Sequence, residues 1–214
     1  MSDNKLIADF NEKKIIHENL FSIPIVQYQT TNTDEMNKEL KEIILKKEKE
    51  IPTTTKSNQG GWQSEGDFFR WGGESIENLY NLFLKLIESS TKKLEFVETI
   101  PMDFHIYGWA NVNRKGHSNI AHIHPMSTWS GTYYVDAGDE LDDSKCGLFE
   151  AFNPNLSHLT AFFPGLLPGE YHIKPKTGLM NLFPSYVRHG VRTYHGNNPR
   201  ICVAVNAAMR IKAP

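Results

Sequence analysis

Cysteine is scarce in this chain, and its two copies, Cys146 and Cys202, stand far apart in unrelated contexts. They form neither a zinc-ligand spacing nor a secreted disulfide framework, so reduced thiols in a cytosol are expected. Apolar runs are too short to cross a bilayer. The opening Met1-Ser-Asp-Asn-Lys5 is polar where a signal peptide needs an apolar core. The expectation is a cytoplasmic protein without membrane contact. Charge of one sign is not in excess, with 23 basic against 25 acidic residues, so general binding to nucleic acid is not expected. Internal repeats and low-complexity stretches are absent. Arginine is rare beside lysine, which makes an arginine in apolar surroundings informative.

What is present fits one domain over the 214 residues, with an N-terminal part at 1–99 and an all-β core at 100–210. Residues 1–19 read as a polar arm. Leu20–Tyr28 has strand character, and Pro24 puts it at a sheet edge or near a strand end; at an edge, a second copy could pair to give a homodimer. Asn32-Thr-Asp-Glu35 offers a helix start, followed by Met36, Leu40, Ile43 and Ile44 at helical spacing. Residues 51–73 form a turn-rich, aromatic loop, in which Trp62 and Trp71 are candidates for a lid or substrate wall. The alternative is aromatics that only cover the core. A second helix carries Ile76, Leu79, Tyr80, Phe83, Leu86, Ile87 and Leu94 as its apolar stripe. Beyond Pro101, short alternating segments separated by turns suggest antiparallel strands of a jelly roll, whose mouth can hold a ligand.

His122 and His124 sit two apart on an extended segment and therefore share a face. Neutral imidazoles so placed hold a metal ion if a third ligand arrives, and His189 is the candidate. Otherwise the pair is a hydrogen-bonded feature of the core. In Arg200-Ile-Cys-Val-Ala-Val-Asn206 the alternation puts Arg200, Cys202, Ala204 and Asn206 on one face and Ile201, Val203 and Val205 on the other. A charged head among small residues suits a ligand cavity; the other reading is an arginine paired with a surface acid.

Together, Trp109-Ala-Asn-Val-Asn113, Lys115-Gly116, His122-Ile-His124-Pro125, Ser127, Ser130-Gly-Thr-Tyr-Tyr-Val135, Leu182-Phe-Pro-Ser185, His189-Gly-Val191 and Arg200–Asn206 resemble a family of 2-oxoglutarate/Fe(II)-dependent oxygenases, many of them bacterial or phage-encoded. The resemblance covers about residues 100–208, with a weaker likeness in Gly61-Trp-Gln-Ser64. It implies a mainly β protein with N-terminal helices and a double-stranded β-helix (jelly-roll, cupin-like) core. It also implies Fe(II), 2-oxoglutarate as co-substrate, O₂, and hydroxylation of a peptidyl or small-molecule substrate.

By that resemblance His122 and His189 ligate iron and Arg200 grips the far carboxylate of 2-oxoglutarate with its planar donor fork. Tyr134, Asn111 and Asn113 bind the co-substrate, and the chemistry is iron-centred with no separate acid or base. The wider superfamily has Asp or Glu where this chain has His124. Either His124 is the third ligand, or Glu150, Asp136 or water completes the site. Two rival readings follow from that departure: a cupin-like three-His metalloenzyme that does not use 2-oxoglutarate, and a non-catalytic jelly-roll binding or virion protein.

Overall fold

The computed structural model describes residues 22–94, 102–139, 145–154 and 169–211. Two antiparallel sheets face each other. The larger has the order β1-β9-β6-β11-β4-β3 and the smaller β2-β5-β10-β7-β8. In chain order these are β1 (Val26–Gln29), β2 (Asn58–Gln59), β3 (Trp62–Gln63), β4 (Met102–Asn113), β5 (Ser118–His122), β6 (Trp129–Asp136), β7 (Phe149–Phe152), β8 (Glu170–Ile173), β9 (Leu179–Pro184), β10 (His189–Val191) and β11 (Arg200–Ile211). The arrangement is a jelly roll. Helices α1 (Asp34–Glu50) and α2 (Glu74–Lys92) cover the outer face of the larger sheet. Among the described residues, no helix is long and apolar enough to cross a membrane.

β11 lies at the centre of the larger sheet. It pairs with β4 from Arg200↔Asn113 to Ile211↔Met102, and with β6 from Ile201↔Asp136 to Ala207↔Trp129. Because side chains alternate between faces, Ile201, Val203 and Val205 point toward the helices. There they join Leu40 and Ile44 of α1 and Ile76, Leu79, Phe83 and Ile87 of α2 in one buried cluster. The opposite face carries Arg200, Cys202, Ala204 and Asn206 toward the smaller sheet. The apolar stripe of α2 follows the three- and four-residue steps that keep one side of a helix against a sheet. α1 has Asp34 and Glu35 in its first turn and Lys47 and Lys49 in its last, matching the helix dipole at both ends.

The loop at 51–73 is more ordered than its turn chemistry suggests. It adds β2 to one sheet and β3 to the other, pairing Asn58↔Asn119 and Trp62↔Val112. The expectation that Trp62 and Trp71 wall a substrate site is not met. Trp62 is buried in the helix-side core and donates its indole N–H to the Ile51 carbonyl at 2.8 Å. Trp71 packs on Phe68, with Lys47 over its ring. Phe69 seats on β4 where Gly108 leaves room: a Cβ there would lie 2.8 Å from the Ala204 carbonyl oxygen and 2.9 Å from the Phe69 ring. Trp62 occupies the face of β3 that meets the helices, while the next residue, Gln63, faces the cavity.

β1 stands at a sheet edge, as Pro24 suggested, paired to β9 through Val26↔Leu182. The expected polar arm at 1–19 and the start of the expected strand at 20–21 lie outside the described residues. β8 has no counterpart in the sequence reading. It is a four-residue edge strand, three of whose residues are exposed, so it lacks the alternation that marks a half-buried strand.

α1 is tied to the sheet by a buried hydrogen bond from the Tyr133 hydroxyl to Asn37 Oδ1 at 2.6 Å. Tyr133→Phe removes that bond and orphans a buried acceptor, so a loss of about 1–2 kcal/mol is expected in urea unfolding. An unchanged midpoint would show that the hydroxyl contributes nothing to holding the helix.

Candidate active site

Between the sheets lies a cavity of about 490 Å³. It is lined by residues of β4, β5, β6, β10 and β11. His122 ends β5 and His189 begins β10, and the two are paired across the ladder. His124 follows in the turn beyond β5, where its backbone N–H donates to the Ser185 carbonyl at 3.0 Å. One ligand atom from each of the three histidines falls within 4.8 Å of the others. Ring centroids are 4.5 Å apart for His122 and His189, 4.8 Å for His122 and His124, and 5.0 Å for His124 and His189.

Backbone carbonyls set the tautomers. The Nδ1 of His122 lies 2.8 Å from the Ile120 carbonyl, and the Nδ1 of His189 lies 2.9 Å from that of Val187. A carbonyl only accepts, so each Nδ1 carries the proton and each Nε2 presents a lone pair inward. The Nε2 atoms of His124 and His189 are 3.2 Å apart. Two imidazole nitrogens on adjacent positions of one ion, with bonds of about 2.1 Å, would be about 3 Å apart, so the spacing fits a shared metal. Phe149 stacks on the His189 ring at 5.5 Å, Phe183 meets it edge-on at 4.6 Å, and Trp109 lies 5.5 Å from His124.

Burial keeps these imidazoles neutral, which is the form a metal needs. Desolvation, with His122 adding to it, lowers His189 to about 3 and His124 to about 4. His122 is lowered as well, by desolvation against the opposing pull of the Ile120 carbonyl.

The carboxylates considered as substitutes for His124 are engaged elsewhere. Asp136 pairs with Lys41 at 2.7 Å, and Glu150 pairs with Arg192 and lies 3.4 Å from His172. Neither joins the histidine group, so among the described residues the donor set is three imidazoles. Such a set suits a divalent transition metal and offsets none of its charge.

Arg200 is 1% exposed and lines the cavity. Its Nη1 lies 3.7 Å from the Cys202 sulfur, its guanidinium sits over the Tyr134 ring at 5.0 Å, and its Nε has no partner among the described residues. Among the described residues no carboxylate pairs with it. A permanently charged, buried guanidinium without an anion is costly, and a bound carboxylate is what its fork accepts best. Tyr134 is fully buried beside it, and burial pushes its hydroxyl up to about 12 despite the counter-effect of Arg200, so it stays protonated and able to donate.

The remaining expectations divide. Asn111 lines the cavity. Asn113 is buried on the same strand but is not part of the lining, and its amide donates to Asn119 Oδ1 at 3.3 Å, which joins the two sheets. Cys202, on the Arg200 face of β11, lines the cavity beside Arg200. Tyr107, Ser130 and Asn206 form a polar cluster in the wall. Ser130 Oγ donates to Asn206 Oδ1 at 2.7 Å, and Asn206 Nδ2 donates to the Tyr107 hydroxyl at 2.9 Å. Asn206 had a signal, since it falls on the Arg200 face of β11.

Residues 107–206 match the model of a family described as "Putative 2OG-Fe(II) oxygenase". The matched stretch runs from β4 into β11 and so holds the three histidines and Arg200. Solved structures agree in fold. A prolyl-4-hydroxylase from Pseudomonas putida is 15% identical with TM-score 0.58, the match covering 88% of this chain and 93% of that one. A Trichoplax adhaerens prolyl hydroxylase, in complex with a peptide fragment of the hypoxia inducible factor oxygen degradation domain, is 14% identical with TM-score 0.63 over 86% and 83%. HygX from Streptomyces hygroscopicus, with nickel and 2-oxoglutarate bound, is 10% identical with TM-score 0.58 over 86% and 82%. No curated protein sequence matches the chain.

Two outcomes follow for the histidine centre. In calorimetric titration with Ni(II), His189→Ala should weaken binding by at least about a hundredfold and His124→Asp should retain it, because a carboxylate also suits the metal. Equal affinity in His189→Ala and wild type would remove the site. The metal-free protein should also lose stability as pH falls from about 6.5 toward the lowered values, since the unfolded chain then binds protons that the folded histidines refuse. Urea midpoints that do not fall between pH 7 and pH 5 would show that the three rings are solvated.

Proposed function

We propose that the protein is an Fe(II)- and 2-oxoglutarate-dependent oxygenase that hydroxylates a C–H bond of its substrate. The observation that carries this reading is Arg200, a buried guanidinium with no carboxylate partner among the described residues, in the cavity that three inward-facing imidazoles enter. A metal centre alone does not call for such a group. A dicarboxylic co-substrate that binds metal at one end does.

His122, His124 and His189 would hold the iron. Bound iron, with 2-oxoglutarate as co-substrate and O₂, would supply the oxidising power. The chain's residues bind, orient and exclude water. Arg200 and the Tyr134 hydroxyl take the far carboxylate, with Asn111 nearby in the wall. Phe149, Phe183 and Trp109 keep the histidine rings dry and in place. Three neutral ligands leave both charges of the ion to be balanced by the dianionic co-substrate, so metal and 2-oxoglutarate should reinforce each other's binding.

The substrate would lie along the part of the cavity walled by Tyr107, Trp109, Ser130 and Asn206. β11 carries this wall from Arg200 to Asn206, about 20 Å at the usual rise per residue. These side chains are aromatic or neutral and polar, which favours an uncharged reacting group, peptidyl or small-molecule. Peptide substrates are in keeping with the peptide complex of the Trichoplax relative. A cytoplasmic setting accords with two free cysteines. A second copy would pair along the outer edge of β1, where Tyr28 is exposed.

Anaerobic visible absorption tests the reading. Adding Fe(II) and then 2-oxoglutarate should produce a charge-transfer band that needs both and is lost or much weakened in Arg200→Ala. Iron binding without a band would overturn the co-substrate assignment and favour a three-His metalloenzyme of another kind. Absence of iron binding would leave a jelly roll without this chemistry.

A further inference from the structure

β9 reads Leu179-Met-Asn-Leu-Phe-Pro184, and all six residues are buried. Asn181 is its one polar side chain and has no exposure at all. A carboxamide at such a position gives up its hydration and must be offset by what it bonds. Among the described residues it makes one bond, from Nδ2 to the Tyr134 hydroxyl at 3.3 Å, and its Oδ1 has no partner there. Asn181 is not part of the cavity lining, so it reaches the site only through Tyr134.

The direction of that bond decides where the Tyr134 proton goes. The phenol oxygen accepts from Asn181, and the Arg200 guanidinium, which also lies against it, can only donate. The hydroxyl hydrogen therefore has no acceptor among the described side chains around it. With the carboxamide turned the other way, Oδ1 would capture that hydrogen. As the structure stands, it is left for a ligand.

We propose that Asn181 is a positioning residue. By donating to the Tyr134 oxygen, it commits the Tyr134 proton to the far carboxylate of the dicarboxylic co-substrate gripped by Arg200. The inference rests on the 2-oxoglutarate reading above and adds a residue that does not touch the ligand.

The test is anaerobic calorimetry of 2-oxoglutarate binding to the Ni(II)-loaded full chain. It compares wild type, Asn181→Leu, Asn181→Asp, Tyr134→Phe and the Asn181→Leu/Tyr134→Phe double variant. Asn181→Leu fills the site with an apolar group of similar size and should weaken binding about tenfold, as should Tyr134→Phe. Asn181→Asp should weaken it about a hundredfold or more, because a carboxylate takes the Tyr134 proton and repels the dianion. The double variant should bind no more weakly than Tyr134→Phe alone, the signature of action through one hydroxyl. Ni(II) affinity should be unchanged throughout, which a general disturbance of the fold would not leave intact.

Wild-type affinity in Asn181→Leu, or additive losses in the double variant, would overturn the inference while leaving the co-substrate reading standing. Failure of the wild type to bind 2-oxoglutarate would overturn that reading and this one with it. If Asn181→Asp does not fold, the leucine variant and its cycle still decide.

Discussion

A buried positive charge needs an answering negative one, and the cavity is arranged around that need. Arg200 starts the central strand of the larger sheet, with Tyr134 beneath its guanidinium and Cys202 beside it. Register does the rest. Because β11 pairs along its length with β4 and over most of it with β6, Asn111, Tyr134 and Cys202 fall in one row. The same alternation turns Ile201, Val203 and Val205 to the helices. One strand thus serves the apolar core with one face and the polar cavity with the other.

The histidine cluster obeys a second constraint, that its rings be neutral and fixed. Neutrality comes from burial, strongest at His189 between Phe149 and Phe183. Fixity comes from the carbonyls of Ile120 and Val187, each two residues before the ring it orients. His124 is held differently, by a backbone bond from its turn to Ser185 rather than by a place in the ladder. Two rings are therefore set by strand pairing and the third by a loop-to-loop contact.

Much of this was legible in the sequence. Strand periodicity exposed the two faces of β11, and the family resemblance joined His122, His189 and Arg200 in one expected site. What escaped had physical reasons. The aromatics of residues 51–73 announce themselves by type, but whether Trp62 or Gln63 meets the cavity depends on the pairing of a two-residue strand with β4. Exposed β8 carries no apolar alternation to detect. Glu150 and Asp136 looked available as ligands because their partners, Arg192 and Lys41, are distant in the chain. Asn181 did leave a trace, a lone polar residue in an apolar run, though its meaning appears only with Tyr134 across the sheet.

β1, β2 and β3 come from the first third of the chain yet pair with β9, β5 and β4 of the later part. A fragment beginning near residue 100 would retain the three histidines and Arg200. It would also leave three strand edges open and strip the helices from an apolar sheet face. Open edges recruit other chains. Such a fragment would aggregate before it could be assayed, so the chemistry of the later strands is available only to a chain that has its earlier segments folded around it.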